Sequence, residues 1–188
     1  MRRFLKHLQY RCACLAVLPR RLMLWLGSLW LDRDQAFSRA SESLANIAGG
    51  WGLAVREAFY RKTLDHVGSD VHFGYGTLLS KRDAWIGDRV YLGRYCIVGR
   101  VTIESDCLIA DHVQLLSGRH HHSDTALRVE SIRLGRGCWV GGGAVVMSDL
   151  GEGTIIGAGA VVLHATRPGS VNGGVPAKML RRNRKEAA

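Results

Sequence analysis

The sequence lacks any uninterrupted apolar run of about 20 residues, which is the length that a membrane-spanning helix needs. Residues 1–31 are rich in Leu, Trp and Arg, but Arg11, Pro19, Arg20 and Arg21 interrupt every apolar stretch there. A spanning helix is therefore not predicted. A cleavable signal peptide of ordinary form is also missing, and this predicts a cytoplasmic protein with reduced thiols.

Aromatic residues and acidic side chains are both scarce. Aromatics make up only 7% of the chain, and no nucleic-acid-binding motif is present, so nucleic acid is not expected as a partner. The formal net charge is +10. This excess of positive charge favours other anionic partners, namely a phosphorylated cofactor or an acidic membrane surface.

The paired-cysteine motif of zinc and redox sites is absent too. Cys12 and Cys14 form a CxC pattern, not CxxC, and we assign them to a helix face. The remaining cysteines, Cys96, Cys107 and Cys138, occupy one small position of a repeat that is described next. We predict that these three are buried apolar filler rather than metal ligands or disulfide partners.

The chain does contain an aliphatic residue at every sixth position over long stretches. The runs are Ile86 and Leu92; then, after a slip of one residue, Ile97, Ile103, Ile109 and Leu115; then Leu134, Val140 and Val146; and finally Ile156 and Val162. Gly or Ala usually follows the aliphatic residue, and a small or branched side chain comes four positions after it. Neither helical periodicity nor simple strand alternation gives this pattern. A coiled prism with one hexad for each flat face does.

This pattern resembles the hexapeptide-repeat, or isoleucine-patch, acyltransferases. The resemblance covers roughly residues 70–182 and is strongest in three motifs, WVGG at 139–142, IGAGAVV at 156–162 and GVPAK at 174–178. It implies a β-solenoid, specifically a left-handed parallel β-helix. The hand is implied by the resemblance alone, because crossover rules favour the right hand.

We predict three parts of the chain. Residues 1–66 form N-terminal amphipathic and capping helices, residues 67–175 form the left-handed β-helix acyltransferase domain with a loop at 117–131, and residues 176–188 form a short basic tail. Residues 1–31 read as two basic amphipathic segments around Pro19, with Trp25 and Trp30 suited to a membrane interface. The alternative is that these aromatic residues pack on the β-helix or on a neighbouring subunit.

Two further helices are predicted before the repeat. One starts at Asp32, and the glycines at 49, 50 and 52 are expected to end it. The other runs from Leu53 to Tyr60 and carries Phe59 inward. A solenoid must cover its terminal coil, so these helices are expected to cap the open end.

The repeat stops after Leu115 for about 16 residues, and this interruption holds three consecutive histidines, His120, His121 and His122. Long loops that project from a rigid scaffold commonly carry functional residues. In acetyltransferases of the family that the chain resembles, a histidine on the loop at this place is the general base, and imidazole has a suitable pKa for that task. Alignment with galactoside-type enzymes favours His120 and alignment with streptogramin-type enzymes favours His122. We favour His122.

The carboxylate that would orient this base is left open. Asp124 and Glu130 are near in sequence, and Asp111 lies one coil face away. A zinc site is disfavoured. The γ-class carbonic anhydrases share the fold, but their three histidines come from separated coils of two subunits, whereas three contiguous side chains diverge. No metal is predicted.

The donor site follows from the resemblance. In the family, the pantetheine of acetyl-CoA lies in a groove between subunits, and basic residues near the C-terminus meet its phosphates. Motif matching gives Gly142 and Ala158 as groove residues and Lys178 and Arg181 as phosphate-side residues. Leu163 and His164 depart from the commoner polar and basic pattern, so they are not included.

The resemblance as a whole implies an acetyl-CoA-dependent O-acetyltransferase that acts on a sugar hydroxyl. The segment 84–118 and the N-terminal helices are most similar to members from exopolysaccharide and capsule synthesis, and a homotrimer is expected. An N-terminus at the inner face of the cytoplasmic membrane would suit an acceptor attached to a lipid carrier. The alternatives are a xenobiotic or small-molecule acetyltransferase and a non-catalytic hexapeptide-repeat scaffold.

Overall fold

The computed structural model describes residues 2–119 and 128–182, with side chains described for residues 8–117 and 130–181. Four helices come first among these residues: α1 (Arg2–Ala16), α2 (Leu18–Gly27), α3 (Arg33–Ala45) and α4 (Gly49–Thr63). None of them combines the length and the apolar character that crossing a bilayer requires. Short strands then form the coils of a prism.

Three coils precede the loop. The first contains β1 (His66–Val67), β2 (His72–Phe73) and β3 (Leu78–Leu79); the second β4 (Trp85–Ile86), β5 (Tyr91–Leu92) and β6 (Ile97–Val98); the third β7 (Val101–Ile103), β8 (Leu108–Ile109) and β9 (Gln114–Leu115). A hairpin of β10 (Gly118–Arg119) and β11 (Arg128–Val129) lies at the base of the loop.

The coils continue after the loop with β12 (Ile132–Leu134), β13 (Trp139–Val140) and β14 (Val145–Val146), then with β15 (Ile155–Ile156) and β16 (Val161–Val162). The chain closes with β17 (Ser170–Gly173) and β18 (Lys178–Arg182), which pair antiparallel. All other pairings between coils are parallel. Sheet A is β1-β4-β7-β12, sheet B is β2-β5-β8-β13-β15-β17-β18 and sheet C is β3-β6-β9-β14-β16. We name the corners between them AB, BC and CA.

The hexad residues fill the interior of the prism. In the strands from β2 to β9 and from β12 to β16, the last residue points inward and is almost completely buried, as for Ile86, Leu92, Ile109, Val140 and Ile156. Because each buried aliphatic side chain contributes roughly 1.5–3 kcal/mol, the repeat itself is the main source of stability. The prediction of a coiled prism with one hexad for each face is confirmed.

The position of the slip in the repeat was wrong. Val98 is fully buried, whereas Ile97 points outward and is 41% exposed. Sixfold spacing therefore runs from Leu92 to Val98 without interruption. The missing residue lies in the tight CA turn, where Gly99 donates its N–H to the Leu115 carbonyl at 2.8 Å.

The buried cysteines have the predicted role of core filler. Cys96, Cys107 and Cys138 are at most 1% exposed, and all three are free thiols. Each thiol donates to a carbonyl of the next coil, for example Cys107 Sγ to the Gly135 oxygen at 3.2 Å. Burial raises the pKa of the Cys96 thiol, and this keeps the group neutral and unreactive.

Helices α3 and α4 pack against the first coil. The ring of Tyr60 lies 4.6 Å from that of Phe73 in β2, and its hydroxyl hydrogen-bonds to Ser41 at 2.7 Å. Ser41 in turn accepts the N–H of Leu79 in β3 at 3.0 Å. Asp32 caps α3 by accepting the N–H of Asp34.

The expected break between the two helices is present, but it lies at residues 46–48, and α4 begins at Gly49 instead of Leu53. A Cβ on Gly52 would lie 1.8 Å from the Ile47 carbonyl oxygen. Gly52 is therefore needed for the close packing of α4 against the linker that follows α3, and its helix-breaking tendency is overridden by this packing.

Candidate functional site

A column of turn residues runs along corner BC. The second residue of each turn has positive φ, and in chain order these residues are Gly76, Tyr95, His112, Gly143 and Gly159. The left-handed turn favours glycine, so the tyrosine and the histidine are conformationally costly there. Their rings stack on each other at 5.2 Å. The column thus presents aromatic rings at the second and third coils and bare backbone at the fourth and fifth coils, which we call its lower part.

Gly142 and Ala158 lie at this lower part of corner BC, in consecutive coils. The Gly159 N–H donates to the Gly142 carbonyl at 2.9 Å, so the two turns stack directly. A Cβ on Gly142 would meet the Asp111 carbonyl oxygen at 3.4 Å, which is an ordinary van der Waals distance. Gly142 is partly exposed and Ala158 is exposed. The corner therefore offers accessible backbone that a ligand can approach closely.

Lys178 is the first residue of β18 and lies at the end of that strand nearest corner BC. It pairs with Gly173, the residue just before the last turn of corner BC, and the preceding Ala177 donates its N–H to Val161 at 2.7 Å. Arg181 pairs with Val171 instead, so its backbone stands about 7 Å farther from the corner. Both side chains are exposed. Of the predicted donor residues, Gly142 and Ala158 lie in stacked turns of corner BC, Lys178 lies near this corner two strands beyond β15, and Arg181 lies farther along β18.

The loop leaves the prism at corner CA. Its two ends are joined there, since Glu130 donates its N–H to the Ser117 carbonyl at 2.9 Å. Beneath this junction is a cavity of about 140 Å³ that Ser117, Glu130, Ser148 and Asp149 help to line. Its polar lining and its position mark the base of the loop as a concave polar surface.

The histidines at 120, 121 and 122 and the carboxylate at Asp124 lie outside the described residues. Of the other proposed orienting groups, Glu130 is exposed at the loop base. Asp111 belongs to corner BC, and its Oδ1 accepts the N–H of Arg94 at 2.8 Å. Asp111 therefore holds a turn and stands away from the loop.

Sheet C lies between corner BC and corner CA within one chain. About six residues lead from Gly142 at corner BC to Ser148 at corner CA, which in extended backbone is roughly 20 Å. The predicted donor residues and the loop base of one chain are therefore separated by the width of a whole sheet.

No group of three or more His, Cys, Asp or Glu side chains in the described ranges, 8–117 and 130–181, is arranged to hold a metal ion. Several carboxylates there are instead bound by protein donors. Asp88 accepts the N–H and the hydroxyl of Ser69 at 2.6 and 2.9 Å, and these bonds lower its pKa.

The aromatic part of corner BC was missed by the sequence analysis, although a signal was present. Tyr95, His112, Gly143 and Gly159 each stand three positions after a buried aliphatic residue, so they occupy the same place in the hexad. An aromatic residue where the repeat otherwise has glycine marks a position at which packing outweighs backbone strain.

Comparisons with known proteins give matches among solved structures. No protein-family model matches the sequence, and no curated protein matches it. A maltose O-acetyltransferase from Clostridium difficile 630 is 20% identical, with a TM-score of 0.72 over 81% of this chain and 89% of that one. A galactoside acetyltransferase in complex with coenzyme A is 21% identical, with a TM-score of 0.71 over 82% and 84%.

A hexapeptide-repeat acetyltransferase from Vibrio cholerae O1 biovar eltor, complexed with acetyl coenzyme A, is 19% identical, with a TM-score of 0.70 over 79% of this chain and 86% of that one. At these identities the likeness is one of fold. The chain thus has the left-handed parallel β-helix fold of the hexapeptide-repeat acetyltransferases, as the resemblance implied.

Proposed function

We propose that this protein is an acetyl-CoA-dependent O-acetyltransferase that acts on a sugar hydroxyl in the synthesis of exopolysaccharide, capsule or another cell-surface glycan. The observation that carries the proposal is the accessible small-residue surface of Gly142 and Ala158 beside Lys178, on a fold shared with acetyltransferases solved with coenzyme A or acetyl-CoA.

The chemistry of corner BC suits the donor. A pantetheine chain is long, thin and rich in amide groups, so it packs best against backbone that side chains do not cover. Phosphates need cations, and Lys178 and Arg181 are exposed on the strand that adjoins this corner. Both requirements of acetyl-CoA are met by residues of the late coils.

The proposed reaction is direct transfer. The acceptor hydroxyl attacks the thioester carbonyl while His122 removes its proton; the new C–O bond forms, the C–S bond breaks, and the imidazolium returns the proton to the thiolate of coenzyme A. His120 and His121 are the alternative bases. This sequence of steps needs neither a metal nor a redox cofactor.

The site is proposed to be shared by two copies of the chain in a homotrimer. Corner BC and the base of the loop lie about 20 Å apart in one chain, so a donor at corner BC meets the loop of a neighbouring chain more readily than its own. Sedimentation equilibrium is expected to give three times the monomer mass of 20.7 kDa, and a purely monomeric species would contradict the shared site.

The decisive experiment is single replacement of His120, His121 and His122 by alanine, with release of coenzyme A thiol as the readout. One variant is expected to lose about 100-fold or more in kcat, as for loss of a general base. His72→Ala is the matched control, since this ring stacks on Tyr91 on the outside of sheet B. Unchanged turnover in all three loop variants would refute the proposed base.

Two alternatives make different predictions. A xenobiotic or small-molecule acetyltransferase would use the same loop base but would prefer small free acceptors over oligosaccharides. A non-catalytic scaffold would release no thiol with any acceptor. Screening acetyl-CoA consumption against cell-surface oligosaccharides and against small alcohols and amines separates the three cases.

We also propose peripheral membrane contact through residues 1–31, at the inner face of the cytoplasmic membrane. No residue of α2 is buried. Its large apolar side chains are exposed, including Met23 at 70%, Trp25 at 60% and Trp30 just beyond it at 91%. Arg20 and Arg21 stand beside them, and this combination suits an anionic lipid surface.

Flotation with vesicles that contain anionic lipid tests this contact. The full chain is expected to float, and Trp25→Ser with Trp30→Ser is expected to reduce the floating fraction severalfold. Vesicles of neutral lipid separate the apolar contribution from the charge contribution. Equal recovery of the full chain and of a chain that lacks residues 1–31 would contradict the proposal.

A further inference from the structure

The outside of sheet A carries an open slot that none of the donor or loop residues lines. The outward side chains of β1, β4, β7 and β12 form a column of His66, Trp85, Thr102 and Arg133, because the strands pair in that register. One face of the Trp85 indole is covered by the His66 ring at 4.7 Å. The next position below it in the column holds the small side chain of Thr102.

The slot has the dimensions of one stacked ring. Trp85 and Arg133 are two strands apart, which corresponds to about 9–10 Å between their backbones. A ring that packs on both sides at about 4.5 Å needs a similar separation. The cavity at this place has a volume of about 610 Å³. Thr102 leaves this space open where a larger residue would fill it.

The wall opposite the indole is held in place. Arg133 donates through Nε to Glu104 at 2.9 Å and makes a second contact to the same carboxylate through Nη2. The backbone N–H of Arg136 binds the other oxygen of Glu104 at 2.9 Å. These bonds lower the pKa of Glu104. The guanidinium is therefore a fixed donor rather than a freely moving side chain.

The acidic and basic side chains around the slot roughly balance, so the slot favours a neutral ligand over an anionic one. The carboxylates of Asp65, Asp83 and Glu104 stand against the guanidiniums of Arg133 and Arg136, and Asp83 is itself paired with Arg100. The side chain of Asp65 is exposed at the mouth of the slot. An aromatic face surrounded by paired donors and acceptors suits a neutral ring that carries both C–H and O–H groups.

We propose that this slot binds one pyranose unit of a neutral glycan, with the sugar's C–H face on Trp85 and its hydroxyls on Asp65 and Arg133. C–H bonds pack well on the negative face of an indole. That the bound unit belongs to the acceptor, at a position remote from the acetylated hydroxyl, rests on the proposed function. The slot then favours polymeric acceptors over monosaccharides.

The test is to measure by isothermal titration calorimetry whether neutral hexasaccharides of glucose, mannose and galactose bind to the full chain. Binding of at least one is expected. Trp85→Ala and Thr102→Phe, which remove the ring and fill the slot, should each weaken it about tenfold or more. Trp85→Phe should retain most of the affinity. Trp51→Ala, an exposed tryptophan of α4, is the control, and melting curves check that each variant is folded.

The outcomes separate the slot from the catalytic proposal. Trp85→Ala should leave the kcat for a monosaccharide acceptor unchanged while it raises the KM for an oligosaccharide. Loss of acetyl transfer in every protein, with sugar binding intact, would remove the proposed function and leave the slot. The proposed sugar slot is refuted if none of the three hexasaccharides binds, or if wild type and Trp85→Ala bind them equally. If the protein self-associates and Trp85→Ala abolishes this, the slot is instead a contact with a second copy of the chain.

Discussion

Replacement of Arg56 by methionine tests how the helical cap is held on the first coil. Arg56 in α4 is only 1% exposed. Its guanidinium donates to the carbonyl of Phe73 in β2 at 3.0 Å and to those of Leu44, Ala45 and Ile47 at 3.3, 3.3 and 2.8 Å. The last three lie at the carboxyl end of α3, where helix carbonyls lack intrahelical partners and a positive charge is favourable.

The expected loss follows from these bonds. A hydrogen bond to a charged group contributes about 1.5–3 kcal/mol, and a buried carbonyl without a partner costs about 1–3 kcal/mol. Counting only the two shortest bonds in full, Arg56→Met should lower the free energy of unfolding by about 3–6 kcal/mol. For a chain of this length the Tm should fall by about 6–24 °C. Burial lowers the pKa of Arg56, but the group stays charged near neutral pH.

Thermal unfolding followed by circular dichroism measures this effect. Lys62→Met is the matched control on the same helix, because Lys62 is exposed, whereas Arg61 also donates to the Val67 carbonyl of the first coil at 3.0 Å. An exposed replacement of this kind should change the free energy of unfolding by less than about 0.5 kcal/mol. Arg56→Lys should fall between the two, since one ammonium cannot span the carbonyls of both α3 and β2. A Tm for Arg56→Met within about 2 °C of wild type would show that the cap is held by apolar packing alone.

Two further predictions concern the donor corner and acid stability. Lys178→Ala should raise the KM for acetyl-CoA about tenfold in steady-state assays, with a smaller change in kcat. The control Lys62→Ala, which replaces another exposed lysine, should leave this KM unchanged. Equal effects of the two replacements would show that Lys178 does not bind the phosphates. Hydrogen bonds lower the pKa of Asp106 and Glu104 below their ordinary values of 3.8 and 4.5. The stability that these groups add is therefore complete above about pH 4.5 and is lost as the pH falls. Thermal melts at a series of pH values should show that the Tm of the wild type falls below about pH 4.5 and that the Tm of Asp106→Asn falls less steeply. Equal slopes for the two proteins would contradict this prediction.

The core of the β-helix could be predicted because its determinants are local. Each hexad supplies its own inward aliphatic residue, so Ile86, Leu92 and Ile109 are identified without knowledge of their neighbours. The error at Ile97 has a physical origin. Adjacent Ile97 and Val98 are both aliphatic, and only the length of the following turn decides which one points inward.

The candidate site is less visible in the sequence because it depends on coil register. Gly142 and Ala158 are 16 residues apart, which is the length of one coil here, so their stacking depends on the length of that coil. The slot on sheet A joins Trp85 to Arg133 across the loop interruption, so their alignment depends on where the chain re-enters the prism. The start of α4 at Gly49 depends on the close packing of Gly52 against the Ile47 carbonyl in the preceding linker, which periodicity does not report.

The way the loop is inserted has an evolutionary consequence. Strands β7, β8 and β9 pair directly with β12, β13 and β14, so the rungs before and after the excursion are continuous with each other. Among the described residues, the excursion is tied at its neck by the hairpin of β10 and β11. It is therefore an exchangeable cassette, whose length and chemistry can diversify, or be grafted from one scaffold to another, while the supporting framework keeps its geometry.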